Sequence, residues 1–299
     1  MIARDSLRQA HASRVLHDLL RQRLDAANGP ESSQAIALLC QVALIEDDLW
    51  PQRLNLLTRV FLRGLEQLGD PHVLDRVVLP CLRVLVRLLC AGNLQDGEHA
   101  AQRSDTVLAW LHAASPAVAA WPASQARSSA AVQLGAALPA DSWLCRLLLC
   151  ESSQAIREEV ASLLSQLTAQ EKAATLPFVV LDLLVGLLPR ACAVSSSASE
   201  YFELLRGLMT STESRLYLAA RGLLGTLCAL IGEEASRVRL QETSAMQDMQ
   251  RGFILHSLVE ILGSLAEVPT ISAKIKREAQ LPVLLTALLS VRGMVYFFG

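Results

Sequence analysis

The sequence predicts an all-α fold, an armadillo/HEAT-like helical-repeat solenoid, on three observations. Aliphatic residues recur at three- and four-residue spacing almost from end to end, the signature of amphipathic helices. Of 299 residues 52% are hydrophobic but only 4% are aromatic, so the apolar content is mostly Leu, Ala and Val and favours helix. Finally, Glu31-Ser32-Ser33-Gln34-Ala35-Ile36 recurs letter for letter at Glu151-Ser152-Ser153-Gln154-Ala155-Ile156, 120 residues on, about three units of the ~40-residue period of armadillo and HEAT repeats. Both copies open a helix with Ser in the capping region, where a hydroxyl can take an orphan backbone N–H.

The first helix follows from Leu7, Val15, Leu16, Leu19, Leu20 and Leu24, with Arg8, Arg14, Arg21 and Arg23 between them. Asp5 is its expected N-cap and Asn28-Gly29 its stop. Helices follow at Glu31 to Ile45, Gln52 to Gln67 and His72 to Cys90, separated at Trp50-Pro51 and Gly69-Asp70-Pro71, and Pro80 should bend or divide the third. Connections this short make successive helices antiparallel neighbours. Gly92 to Ser104 is polar and aperiodic, a short helix is expected near Asp105 to Ala113, and Ala114 to Ser128 is an Ala/Ser stretch with Pro116 and Pro122. The pattern resumes at Asp141 to Cys150, Ser152 to Leu167, Phe178 to Leu188, Glu200 to Met209, Ser214 to Ile231, Glu233 to Glu242, Met246 to Glu267 and Ile271 to Leu289. Only Met294 to Phe298 is locally strand-like.

Charge excludes several roles. Lys plus Arg is 27 against 29 for Asp plus Glu, and a net charge of -2 gives no field that would gather nucleic acid or an anionic membrane. Seven cysteines, most within apolar runs such as Leu147-Leu148-Leu149-Cys150, read as buried reduced thiols of an intracellular protein. The N-terminus enters an amphipathic pattern with no apolar leader, so a cytoplasmic location is expected. Leu176 to Leu188 is shorter than the ~20 residues that span a bilayer, and Asp182 interrupts it, which makes it a buried core helix.

No pattern of catalysis or metal binding is present. The chain has no GxSxG, GxxxxGK[ST] or HExxH, and no CxxC pair of the kind that zinc sites use, so no catalytic residue, cofactor or metal is expected. His256, within Ile254-Leu255-His256-Ser257-Leu258, reads as a structural histidine inside a helix. Arg157, Glu158 and Glu159 would form an exposed charged face for a protein partner, and Lys274 and Lys276 with Arg277 make a small basic cluster.

The second half resembles the giant UBR-box E3 ubiquitin ligases, BIG in plants and calossin or Pushover in animals. Ser152 to Glu159 is similar to the family's S-S-x-A-I-R-E-E segment, Ala198 to Leu205 to its A-x-E-Y-F-E-L-L helix, and Tyr217-Leu218-Ala219-Ala220-Arg221-Gly222 to its Y-L-A-A-R-G form. Gln250 to His256, Glu267-Val268-Pro269 and Val291-Arg292-Gly293 continue the register, while Val78 to Arg83 is a weaker likeness in the first half. The resulting organisation is helical repeats over 1–91, an irregular insert over 92–128, helical repeats resembling the family over 129–295, and a divergent tail over 296–299.

The resemblance implies a scaffold segment of such a ligase. It would position substrate and catalytic modules, and it would have ubiquitin-pathway proteins and the remainder of the ligase as partners. Interaction residues would be Arg157, Glu158, Glu159, Arg221, Lys274 and Lys276. The family's UBR box and zinc-bearing E2-recruiting module require Cys/His clusters that this sequence lacks, so the chain is expected to be inactive alone. After Val295 it reads Tyr296-Phe297-Phe298-Gly299 where the family continues helical, and a partial sequence or truncated gene model is expected. The alternative is a free-standing armadillo-like adaptor for protein–protein interaction or trafficking.

Overall fold

A computed structural model describes residues 2–26, 30–45, 49–94, 143–169, 176–194, 197–240 and 245–277. Among these residues every regular element is helical and no strand occurs. They form two compact units, one of residues 2–94 and 146–169, the other of 143–145 and 176–277.

In the first unit, α1 (Ile2–Ala26), α2 (Pro30–Val42) and α3 (Trp50–Glu66) pack against one another. Leu20 and Leu24 of α1, Ile36, Leu39 and Cys40 of α2, and Leu54, Leu57 and Phe61 of α3 supply the buried stripes at helical spacing. Trp50-Pro51, expected as a break, opens α3 instead. Proline at the second helical position gives up an N–H that had no intrahelical partner there. A short α4 (Pro71–Val73) begins where the Asp70 carboxylate accepts the His72 backbone N–H at 2.8 Å. It runs into a π-helical turn, Leu74–Val78, and then into α5 (Leu79–Leu94). Pro80 has no N–H to donate, and the irregularity it imposes is taken up by this wide turn, whose Leu79 N–H reaches back to the Leu74 carbonyl. Gly64 permits α3 to lie close to that turn, since a Cβ there would stand 3.0 Å from Val77 Cγ1 and 3.1 Å from Val78 Cγ2. α7 (Gln154–Thr168) packs along α5 and buries Ile156, Val160, Leu163, Leu164 and Leu167. The boundary between the units falls within α6 (Trp143–Leu148).

In the second unit, α8 (Leu176–Ala193) contacts α9 (Ser199–Leu208), α10 (Thr212–Ala220) and α11 (Leu223–Leu240). Leu181, Leu184, Leu187 and Leu188 of α8 are wholly buried, as expected of a core helix. Tyr201 and Phe202 of α9 meet edge to face at 5.2 Å between ring centroids, and the Tyr201 hydroxyl donates to the Leu184 carbonyl at 2.5 Å. α12 (Ala245–Ala266) lies against α10, α11 and α13 (Pro269–Arg277). Among the described residues no single helix is long and apolar enough to cross a membrane.

Four sequence expectations are corrected. The helix expected over Ser214 to Ile231 is two helices that meet at 74°, because Gly222 takes a φ of 85° and turns the chain; α11 then runs unbroken through Glu233. The two copies of the repeated hexapeptide do not share a capping hydroxyl. Ser32 and Ser33 lie inside the first turn of α2, whereas Ser153 is the N-cap of α7 but turns its hydroxyl to Asp75 Oδ1 at 3.3 Å. Asp5 lies within α1 rather than capping it. α5 continues through Gly92 to Leu94, so the insert begins later than its composition indicates. The rest of the insert with its short helix, the end of the last helix towards Leu289, the strand-like Met294 to Phe298 and the tail 296–299 lie outside the described residues.

Candidate protein-interaction surface

The candidate residues divide between the units. Arg157, Glu158 and Glu159 sit on α7 in the first, while Arg221, Lys274 and Lys276 belong to the second. Arg157 is corrected outright as an exposed residue: it is 6% exposed, and its Nη1 donates to the Cys150 carbonyl at 2.8 Å. The reason is its register, one residue beyond Ile156 on the buried side of α7, beside carbonyls left over at the end of α6. Glu158 is exposed and accepts from Gln154 Nε2 at 2.8 Å one turn earlier. Glu159 is half-buried and accepts from Arg83 Nε of α5 at 3.1 Å. With Ser153 and Asp75, these contacts bind the first turns of α7 to α5 and the π turn, and they leave Glu151 and Glu158 facing solvent.

Arg157 is one of three arginines placed alike. Arg53, Arg157 and Arg215 are each the fourth residue of their helix, and each reaches back to a carbonyl at or just past the end of the preceding helix. Arg53, 3% exposed, donates through Nη1 to the carbonyls of Val42 at 2.6 Å and Ile45 at 3.2 Å, and through Nη2 to Ser13 Oγ at 3.1 Å. Trp50 Nε1 adds a bond to the Ala43 carbonyl at 3.0 Å. Arg215 donates through Nε to the Met209 carbonyl at 2.7 Å while its Nη1 pairs with Glu267 at 2.8 Å. A guanidinium suits this position because a helix C-terminus offers unsatisfied carbonyls and the negative end of the dipole. The sequence reading passed over Arg53 and Arg215; an Arg three residues after a helix start, just past a turn, was the available signal.

Arg221 is half-exposed and ends α10. Its Nε donates to Asp182 Oδ1 at 2.9 Å and its Nη2 to Asp182 Oδ2 at 2.5 Å, a two-point contact with α8. Tyr217 donates its hydroxyl to Asp182 Oδ2 at 2.8 Å, and the guanidinium lies 5.4 Å from the centre of the Tyr217 ring. Burial, then the bond to Asp182, pushes the Tyr217 phenol up, and Asp182 raises the Arg221 guanidinium further above its already high value. Tyr217, Arg221 and Gly222, three letters of the Y-L-A-A-R-G segment, thus have structural employment in a cross-helix link and the turn that follows it. Lys274 and Lys276 are exposed in the last turn of α13, whose Ile271 and Ile275 face inward. His256 is exposed rather than enclosed, with Nε2 3.2 Å from Glu260 Oε1, and Arg206 bonds to the same carboxylate. Among the described residues no group of three or more His, Cys, Asp or Glu is placed to hold a metal ion.

These features define an all-helical protein whose charged side chains tie helix to helix. No known family profile and no solved structure matches the chain. Three relatives do. It is 44% identical over 154 residues to the Auxin transport protein BIG of Oryza sativa subsp. japonica, covering 52% of this chain and 3% of that protein. It is 35% identical over 156 residues to a Dictyostelium discoideum protein named Probable E3 ubiquitin-protein ligase, with 52% of this chain and 3% of the relative covered. To Protein purity of essence of Drosophila pseudoobscura pseudoobscura it is 29% identical over 154 residues, with 51% and 3% covered. Over about half its length the chain is therefore homologous to the BIG/calossin family, and it spans about 3% of the length of these relatives.

Proposed function

We propose that this chain is a helical scaffold segment of a BIG/calossin-like E3 ubiquitin-protein ligase, acting in the cytoplasm. Its helices form an armadillo-like stack that positions substrate and catalytic modules and does no chemistry of its own. The observation that carries this reading is the 44% identity over 154 residues to BIG, joined by the 35% identity to a relative named as an E3 ligase. The repeated use of an arginine to close one helix onto the next also supports it. Such contacts fix the angle between neighbours, which a part that holds other modules at set positions requires. Glu158, Lys274 and Lys276, exposed on their helices, are its candidate contacts with protein partners, and ubiquitin-pathway components are the partners expected.

Two measurements on the purified chain test the proposal. With E1, a panel of E2 enzymes, ubiquitin and ATP it should form no ubiquitin chains; robust autoubiquitination would overturn the non-catalytic assignment. In affinity capture from cell extract, ubiquitin-pathway proteins should be enriched, and that enrichment should weaken in a Glu158→Lys or Lys274→Glu/Lys276→Glu variant. Enrichment of coat or cargo proteins in their place would refute the ligase assignment and identify a trafficking adaptor.

A further inference from the structure

Lysine is scarce in this chain: of its 27 basic residues only Lys172, Lys274 and Lys276 are lysines. Lys172 lies outside the described residues, and the other two share the last turn of α13. On the ligase reading proposed above, on which this inference rests, the chain works beside E2 enzymes that carry ubiquitin as a thioester. An accessible lysine amine is a nucleophile for such a thioester. We propose that Lys274 and Lys276 are the ubiquitin-acceptor site of this segment.

Arginine and lysine supply the same charge, but only the primary amine of lysine can be acylated, because the guanidinium stays protonated. Among the described residues arginine does the structural work. Arg53, Arg157 and Arg215 bond to carbonyls near the end of a preceding helix, Arg83 holds Glu159, and Arg221 holds Asp182. A cation also stabilises a helix C-terminus, and Arg277 supplies one in the same turn. Neither joining helices nor complementing the dipole therefore calls for an amine at 274 or 276. Their placement fits an encounter with a large charged enzyme. Ile271 and Ile275 are buried where α13 meets α12. With about 100° between successive helical residues, the two lysines flank Ile275 on either side, and both are exposed.

The ammonium group first yields a proton to solvent. The free amine then attacks the thioester carbonyl carbon, an isopeptide C–N bond forms and the C–S bond to the E2 cysteine breaks. The cysteine thiolate leaves with the second proton of the amine. No oxidant or reductant takes part, since charging of the E2 has already activated the ubiquitin carboxyl group.

The experiment produces the tagged full chain in cultured cells under proteasome inhibition, isolates it under denaturing conditions, and maps the Gly-Gly remnant of ubiquitin after trypsin digestion. Remnants are expected on Lys274 and Lys276. The Lys274→Arg/Lys276→Arg variant, which keeps both charges, should lose most of the ubiquitin-bearing fraction while capturing the same proteins as the wild type. Lys172→Arg should leave that fraction unchanged. Absence of remnants from both α13 lysines, or remnants confined to Lys172 or the α-amino group, overturns the acceptor site. Native capture judges the ligase reading separately. Enrichment of ubiquitin-pathway proteins with Lys274 and Lys276 unmodified overturns the acceptor site alone, whereas enrichment of coat or cargo proteins with remnants on both lysines refutes the ligase reading and leaves the acceptor site standing.

Discussion

Arg221 grips Asp182 across 39 residues of sequence, with Nε on one carboxylate oxygen and Nη2 on the other, and the two side chains join the end of α10 to the middle of α8. The site is half open to solvent, so the attraction is screened and its effect on stability is modest. Asp182→Asn, which keeps shape and removes charge, should lower the melting temperature by about 2 °C or less. A double-mutant cycle with Arg221→Gln should give a favourable coupling that shrinks as salt is raised. Coupling independent of salt would show that shape rather than charge holds the helices.

Arg53 is the opposite case, enclosed on all sides and bonded to two carbonyls and a serine. Arg53→Ala removes the donors but leaves the Val42 and Ile45 carbonyls and Ser13 behind, a loss of about 2–4 kcal/mol. Arg53→Lys should recover less than half, because one ammonium cannot span three acceptors on α1 and the end of α2. Urea unfolding of the two variants decides this, and equal stability of lysine and arginine would contradict the geometry.

The contrast between these arginines explains what was legible in the sequence. Spacing of leucines located nearly every described helix, because burying a stripe is a local property of three or four residues. Asp182 within an apolar run argued only against a membrane span. Which partner it takes was not legible, because Tyr217 and Arg221 come to it only when α10 folds back onto α8. Arg157 was misjudged for the same reason: its charge suggested solvent, and only the leftover Cys150 carbonyl makes an inward position favourable. Gly222 was overlooked because the aliphatic period on its two sides is nearly continuous, whereas the direction of the chain changes within one residue.

Gly222 offers a test of that turn. Its φ of 85° lies where an L side chain is strained, and a Cβ added there would meet nothing within 4 Å. Gly222→Ala therefore isolates the backbone term, and a loss of about 1–2 kcal/mol is expected. At Gly225, inside α11 and also with open space around it, alanine should stabilise by about 0.5–1 kcal/mol, because there it favours helix. Chemical denaturation of the two single variants should move in opposite directions; a shared direction would mean that residues 221 and 222 are not a turn in solution.

Alkaline pH probes the second unit through its tyrosines. Burial, then the neighbouring Cys192, raises the Tyr201 phenol well above 10.0, and Tyr217 is raised by burial and Asp182. A group raised on folding binds its proton more tightly in the native state. Its contribution is therefore complete below the unfolded value near 10 and is lost as pH climbs towards the folded value. Unfolding free energy measured by urea should fall steadily above about pH 10. Tyr201→Phe should reduce that slope while costing about 1 kcal/mol at neutral pH, since the bond from its hydroxyl to the Leu184 carbonyl is gone. An unchanged slope in the phenylalanine variant would place the Tyr201 hydroxyl in water rather than against α8.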